Sequence, residues 1–494
     1  MFWERFQDAR SPNPVRDKGK FCVHYAGDLD EVSARPTCQR AARQVKSLSV
    51  KPTFSKRHLL ALPALGVLLA LAGCGGQNKN SSVVTNSAAP NDSGSKNTNA
   101  AALVIISPHG REIQAEFERA FKQENPGASI QWQDQGGSAD ALRFILSQFQ
   151  SKRDKDEGIG ADVFFGGGLE SFMELQDAGD LQALPSDYKV PATLNGVPLR
   201  GQNNVWVGAA LSGFGILYNK SIATRDKLPV PKTWGDLGNP ALLGRIELAD
   251  PRKSGSAHVA YEIILQTEGW ENGWKTLAAM SGNARAFIDS SSTLVNDVSS
   301  GEAVFVPAID FYARAKIAQA GNEKLGYIAP QGQNVITPDP IGILRGAPHK
   351  ELAEKFVAFV LSPAGQKLWM LPKGAKGGPQ QESLFRAPIL PALYQPIPKN
   401  SLVQTDPYKT KNVRQYDSKT AAARRVVLDD LIGAVLIDNH NAIKGRQGAF
   451  GDMNNIMLAP PEEDVMAATK FWGDPVARQN QLNDWRSAAQ KKLQ

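Results

Sequence analysis

LVIISPHGREIQAEFERAFKQENPGASIQWQ, residues 103–133, sets the pattern from which the rest of the chain is read. Its first four residues form a continuous apolar run, as expected of a strand covered on both faces. A polar turn follows, Ser107-Pro108-His109-Gly110. Ile113, Phe117, Ala120 and Phe121 then recur at helical spacing, which gives one apolar helix face. Asn125-Pro126-Gly127 stops that helix, and residues 129–133 read as a second strand.

The pattern repeats downstream. Gly136-Gly137-Ser138 opens a helix with Leu142, Ile145, Leu146 and Phe149 on one face. A charged loop (152–157) leads to a third strand (162–165), then Gly166-Gly167-Gly168 and a helix over 169–178. Strand–helix alternation predicts an α/β layer fold with a mostly parallel sheet. The loops SPHG, GGS and GGG each join a strand's carboxyl end to a helix's amino end, the edge where open parallel sheets bind ligands. Helix amino ends offer unpaired N–H groups and partial positive charge. Each glycine also serves a plain purpose, making a tight turn.

From Trp206 the run VGAALSGFGILYNK suggests long strands crossing between two lobes. A second α/β unit follows, with strands at 245–249, 284–288 and 303–306. Its polar strand-to-helix loops contain Asp250-Pro251-Arg252-Lys253-Ser254-Gly255-Ser256, Ser290-Ser291-Ser292 and Asp310-Phe311-Tyr312. Residues 326–343 read as the return to the first lobe, followed by helices at 349–361 and 363–370. Beyond Lys373 the chain is loop-rich, with later helices at 421–437, 461–471 and 474–492.

Ahead of this body lies LLALPALGVLLALAGC, residues 59–74. Basic residues in front (Lys51, Lys56, Arg57), a 15-residue apolar run too short to span a bilayer, and a small-residue end mark a secretory signal. Leu71-Ala72-Gly73-Cys74 resembles a bacterial lipobox, with Cys74 the lipidated first residue of the mature protein. The segment 51–73 is then the signal peptide. Residues 1–50 are an extension from a start placed too early, with translation expected near Val45 or Val50. Residues 75–100 are a polar linker that cannot bury a core. The chain's net charge of +7 resides mostly in residues 1–73, which carry +6, so the remainder is close to neutral and a nucleic-acid partner is not expected. After Cys74 there is no cysteine, so the body depends on core burial, and its length favours two lobes.

The phrases GADVFFGGG, LYNK, TWGDLGNPALLGRIELADPRKSGSA, GEAVFVPAIDFYA and LSPAGQKLW, with SPHGREIQAEFERAFKQENPG, resemble the bacterial solute-binding proteins of ABC importers. The group they are most similar to binds ferric iron, phosphonates and sugar phosphates. The resemblance covers about residues 101–393. It implies an α/β type II periplasmic-binding fold, two α/β lobes with a hinge and an interlobe ligand cleft. Lobe 1 is then expected at 101–206 with a return at 326–372, lobe 2 at 207–325, and a C-terminal region, 373–494, packed on both. It implies a monomer held to the membrane by a lipid anchor at the cell envelope, on the periplasmic or extracytoplasmic face, and working with a permease and an ATPase. No cofactor is expected.

Two ligand classes remain open at this point. An organic phosphate, phosphonate or other oxyanion would be held by Ser107, His109, Gly137, Ser138, Gly167, Arg252, Ser254, Gly255, Ser256, Ser291, Asp310 and Tyr312. Replacing Ser254 or Asp310 by Ala is then expected to weaken binding with little loss of stability, both residues being read as loop positions. Ferric iron is the alternative. The iron binders use a His in the first loop, a Glu after the third strand and a Tyr pair. Here His109 and Tyr312 would serve as ligands, the Glu position falls near Gly167, and at most one Tyr of the pair remains. An exported enzyme is the remote alternative. The chain contains no G-x-S-x-G, H-E-x-x-H, Walker A or G-x-G-x-x-G motif. The four histidines after Cys74 (His109, His258, His349, His440) have no metal-ligand spacing.

Overall fold

The computed structural model describes residues 102–152, 157–411 and 414–494. The signal, Cys74 and the linker lie outside the described residues. Among those residues no helix is long and apolar enough to cross a membrane.

One strand organises the sheet. Trp206–Asn219 runs for 14 residues and is buried along almost its whole length. Its first half pairs antiparallel with Ile336–Leu344 (Gly342 opposite Trp206, Ile336 opposite Gly213). Its second half pairs antiparallel with Phe305–Ile309 (Ile309 opposite Phe214, Phe305 opposite Tyr218). Each half therefore belongs to a different α/β unit, as expected of a strand crossing between lobes.

In the first unit Ala102–Ile106 is central, parallel to Ser129–Gln133 on one side and to Val163–Phe165 on the other. Ile336–Leu344 closes the unit against Val163–Phe165. In the second unit Phe305–Ile309 is parallel to Ile246–Ala249, which is parallel to Ala284–Ile288. Leu325–Ile328 covers the other edge of the crossing strand. The chain therefore leaves the second unit after Ile328 and re-enters the first at Ile336.

The helices form where the apolar spacing predicts. Arg111–Glu124 buries Ile113, Phe117 and Phe121, and Ser138–Gln150 buries Leu142, Ile145 and Phe149. Phe117, Phe121, Phe165, Phe356, Phe359 and Trp369 meet edge-on or tilted, with centroids 4.5–6.3 Å apart, which anchors the first unit's core.

The C-terminal region does two things that no sequence period announces. Ala387–Pro388 adds a short strand beside Trp206–Asn219, with Ala387 opposite Leu211. Helix Ser418–Ile432 lies across both units. Tyr416, just before it, donates to Glu170 Oε1 of the first unit at 2.7 Å. Asp429 meets His258 Nδ1 at 2.7 Å and Arg424 meets Glu262 at 2.7 Å, both in the second unit. Arg424 also pairs with Glu462 and is 2% exposed. Removing a guanidinium from such a buried network leaves carboxylates uncompensated. Arg424→Ala is expected to cost about 3–5 kcal/mol, measured by denaturant unfolding, for the same reason.

Candidate functional site

Six helices begin at one cleft between the two units. They are Arg111–Glu124, Ser138–Gln150, Leu169–Ala178, Gly255–Glu268, Ser291–Ser300 and Asp310–Ala320. Their leading residues line the cleft because each follows the carboxyl end of a strand. Gly110, Gly137, Gly168 and Ile309 precede four of them and supply no side-chain cap. The N-cap residue takes none of the first N–H groups in these four helices, though in the last of them the Asp310 carboxylate accepts from Phe311 N. Ser254 and Ser290 cap the other two, accepting from Ala257 N and Ser292 N, each at 3.3 Å.

An inner chamber opens into a wider vestibule, with which it shares Pro108, His109, Ser138, Gly255, Ser256 and Tyr312. Gly166, Gly167 and Gly168 all have positive φ (89°, 115° and 83°), so glycine is required to turn the backbone under the chamber. A side chain at Gly166 would also run into the His109 ring, with Nε2 2.7 Å away. The two units touch at the rim. Arg143 Nη1 donates to the Arg252 carbonyl at 2.9 Å, and a methyl group on Gly255 would stand 2.9 Å from Ser138 Cβ.

The centre of the inner chamber is charged. Asp339 sits in Pro338-Asp339-Pro340, where the strand register slips between Asp339 and Pro340. A bulge of this kind re-aims a side chain, and the prolines remove N–H donors from the ladder. Asp339 Oδ1 accepts from Gly167 N at 3.1 Å, and Oδ2 pairs with Arg386 Nη2 at 2.5 Å. Burial pushes the Asp339 carboxyl up, but the Arg386 guanidinium, His109 and the Gly168 and Gly167 amides outweigh it and hold it below the usual range.

Arg386 is 2% exposed. Its Nε and Nη2 donate to Ser212 Oγ, both at 3.2 Å, and its guanidinium lies 4.1 Å over the Phe311 ring. Its Nη1 is buried without a partner. The segment that delivers it is fixed from behind by Glu116. That carboxylate, fully buried in the first helix, accepts the N–H groups of Gln380, Gln381 and Glu382.

His109 completes the centre. Its Nε2 lies 3.6 Å from Asp339 Oδ2, beyond hydrogen-bond reach, and is likewise buried without a partner. The ring packs edge-on against Phe165 at 4.7 Å. Burial, reinforced by Arg386 against the pull of Asp339, lowers its pKa to about 4, so the imidazole is neutral at pH 7.

Of the residues expected at the site, His109, Ser138, Gly167, Gly255, Ser256 and Tyr312 line the inner chamber. Gly137, Ser254 and Ser291 line the vestibule. Three are placed elsewhere. Ser107 is 1% exposed and donates to the Phe165 carbonyl at 2.7 Å, holding the loop rather than facing the cleft. Arg252 is bound by Asp250 through Nη2 at 2.6 Å. Asp310 turns to Arg314 at 3.1 Å and to the Gly213 amide, and burial raises its pKa.

The expectation of little stability loss needs correcting for Ser254, which is a helix cap and not a free loop hydroxyl. Ser254 also shares a 2.6 Å hydrogen bond with Ser291. Ser254→Ala is expected to lower unfolding stability by about 1 kcal/mol, read from the denaturation midpoint.

Arg386, Asp339 and Ser212 line the inner chamber and are the candidate site side chains the sequence reading missed. Asp339 carries a usable signal, an acid between two prolines inside an apolar strand. Arg386 carries none, since it sits in a loop-rich stretch with no period.

The ferric-iron ligand set that the resemblance implies is only partly present in the cleft. Among the described residues Tyr312 is the one tyrosine lining the cleft, and Phe311 occupies the place beside it. The Asp339 carboxylate is already committed to Arg386. Among the described residues no group of three or more His, Cys, Asp and Glu side chains could hold a metal ion.

Residues 106–367 match the family model of bacterial extracellular solute-binding proteins, more than half of the chain. A stretch of 196 residues, 40% of the chain, is 32% identical to the phosphoglycerate transport regulatory protein PgtC of Salmonella typhimurium. The match covers 48% of that protein, so the chain spans about half the length of this curated relative. Among solved structures, the periplasmic binding protein AfuA of Actinobacillus pleuropneumoniae, with fructose 6-phosphate bound, matches at a TM-score of 0.53. It is 18% identical, over 70% of this chain and 97% of AfuA. The apo ferric ion-binding protein A of Pasteurella haemolytica matches at 0.50 with 14% identity, over 72% of this chain and 99% of that one.

Proposed function

The chain belongs to the bacterial extracellular solute-binding proteins, and we propose that it captures an organic phosphate, phosphonate or related oxyanion between its two units and delivers it to an ABC permease. The family serves transport by binding a substrate, and its place is periplasmic or extracytoplasmic. The fold is the type II periplasmic-binding fold.

One observation carries the ligand class. Three helix amino ends without a side-chain N-cap open on a cleft that also holds a buried guanidinium whose Nη1 has no partner. Oriented N–H groups and helix dipoles favour an anion, and arginine suits a planar or tetrahedral oxyanion through paired N–H donors. Asp339 retains lone pairs for a donor, so a hydroxylated phosphate fits better than bare phosphate. Ser138 and Ser256 supply further hydroxyls from opposite units. Closure is favoured because a ligand held by both units stabilises the closed state.

A thermal-shift panel tests the class. 3-Phosphoglycerate, glycerol 3-phosphate, glucose 6-phosphate, inorganic phosphate, sulfate and ferric citrate would be compared at equal concentration. At least one organic phosphate is expected to raise Tm, by the amount that a ligand at 100 times its Kd adds, about 2.7 kcal/mol of stability. A rise with ferric citrate alone would overturn the reading.

The lipid anchor at Cys74 belongs to the same proposal. Cys74→Ser is expected to move the protein from the membrane fraction to the soluble fraction on fractionation. Retention in the membrane would count against the lipobox.

A further inference from the structure

The charges around the cleft do not match the ligand proposed for it. Arg386 and Asp339 cancel in the inner chamber. In the vestibule Arg143 pairs with Asp140 and Lys253 with Asp289. That leaves Arg111 against Glu112 and Asp134. With His109 neutral, the lining sums to −1. A phosphate monoester is mostly a dianion above its second pKa of about 6. Enclosing that dianion in a site of no net positive charge is costly unless a further positive charge arrives.

One group in the lining stands ready to carry it. His109 Nε2 is buried, has no partner and lies 3.6 Å from Asp339 Oδ2. It borders both chambers. The charged groups acting on the ring are Asp339 from the strand beneath and Arg386 from the C-terminal segment. The other titratable groups lining the cleft nearby are Tyr312 across it and Glu112 in the first turn of the helix that follows His109.

We infer that capture of a phosphate dianion takes up one proton from solvent onto His109 Nε2, between a ligand oxygen and the Asp339 carboxylate. The inference rests on the oxyanion reading above. The N–H bond formed there supplies a donor to the ligand and leaves an imidazolium flanked by two anionic groups. Before capture, Arg386 and burial oppose that charge; the arriving dianion reverses the balance. His109 thereby selects for the charge of the solute as well as its shape.

Calorimetry on the full chain tests this with glycerol 3-phosphate and 3-phosphoglycerate at pH 7.5, in buffers of low and high ionisation enthalpy. The buffer dependence of the heat is expected to give about one proton taken up per ligand. Affinity is expected to fall about tenfold per pH unit between 7.5 and 9, as linkage requires for one proton. In His109→Gln, uptake should drop to near zero and the pH slope should flatten, with residual binding. Binding to wild type without proton uptake would overturn this inference and leave the oxyanion reading standing. Undiminished uptake in His109→Gln would also overturn it, placing the proton on the ligand. Failure of both phosphates to bind would overturn this inference together with the reading it rests on.

Discussion

Arg386→Met should weaken the affinity for an organic phosphate by about 100-fold in calorimetry, since a charge-assisted hydrogen bond is worth roughly 1.5–3 kcal/mol. It should also weaken the fold. Arg386 is buried against Asp339, and removing one partner of such a pair costs about 3–5 kcal/mol, because the other charge stays behind. The two effects can be separated. In the double variant Arg386→Met/Asp339→Asn no uncompensated carboxylate remains, so most of the lost stability should return. Binding should not, because the unpartnered Arg386 N–H donor is still missing. Recovery of binding in the double variant would mean that Arg386 serves only the fold.

Gly137→Ala should give the opposite profile, a stable protein that cannot close. Gly137 precedes the second helix with φ −72° and ψ 173°, a backbone any residue adopts. A methyl group there would collide with the Lys253 carbonyl oxygen of the other unit. Ligand-free stability should fall by no more than about 1 kcal/mol, the cost of a poorer helix cap. Affinity should drop by about 100-fold, because contacts to the second unit are lost when the rim cannot meet. Small-angle scattering should show wild type compacting with ligand and the variant staying extended. Wild-type affinity in Gly137→Ala would show that the rim contact plays no part in capture.

The fold was largely readable because its signals are local. The apolar run at 103–106, the helical spacing of Ile113, Phe117 and Phe121, and the glycine-rich turns each declare themselves within a few residues. The strand at 206–219 declared itself by length and small apolar composition. What the sequence placed less well depended on which partner a side chain takes once the chain is folded. Arg252 reads as a ligand clamp until Asp250 is seen to bind it, and Asp310 until Arg314 is. Arg386 reaches the cleft because Glu116, more than 260 residues earlier, gathers three backbone amides of the loop before it. No periodicity encodes that partnership. The orphan Nε2 of His109 and the orphan Nη1 of Arg386 are likewise properties of the assembled chamber. They become visible when every other donor and acceptor around them has been assigned.

The most direct test of the account is a crystal structure of the full chain grown with 3-phosphoglycerate or glycerol 3-phosphate. The account predicts phosphate oxygens within hydrogen-bond reach of Arg386 Nη1, of His109 Nε2 and of the open amides at the helix starts, with Gly137 closed onto Lys253. A ligand bound outside this chamber, or a ferric ion held by His109 and Tyr312 with Arg386 turned away, would contradict it.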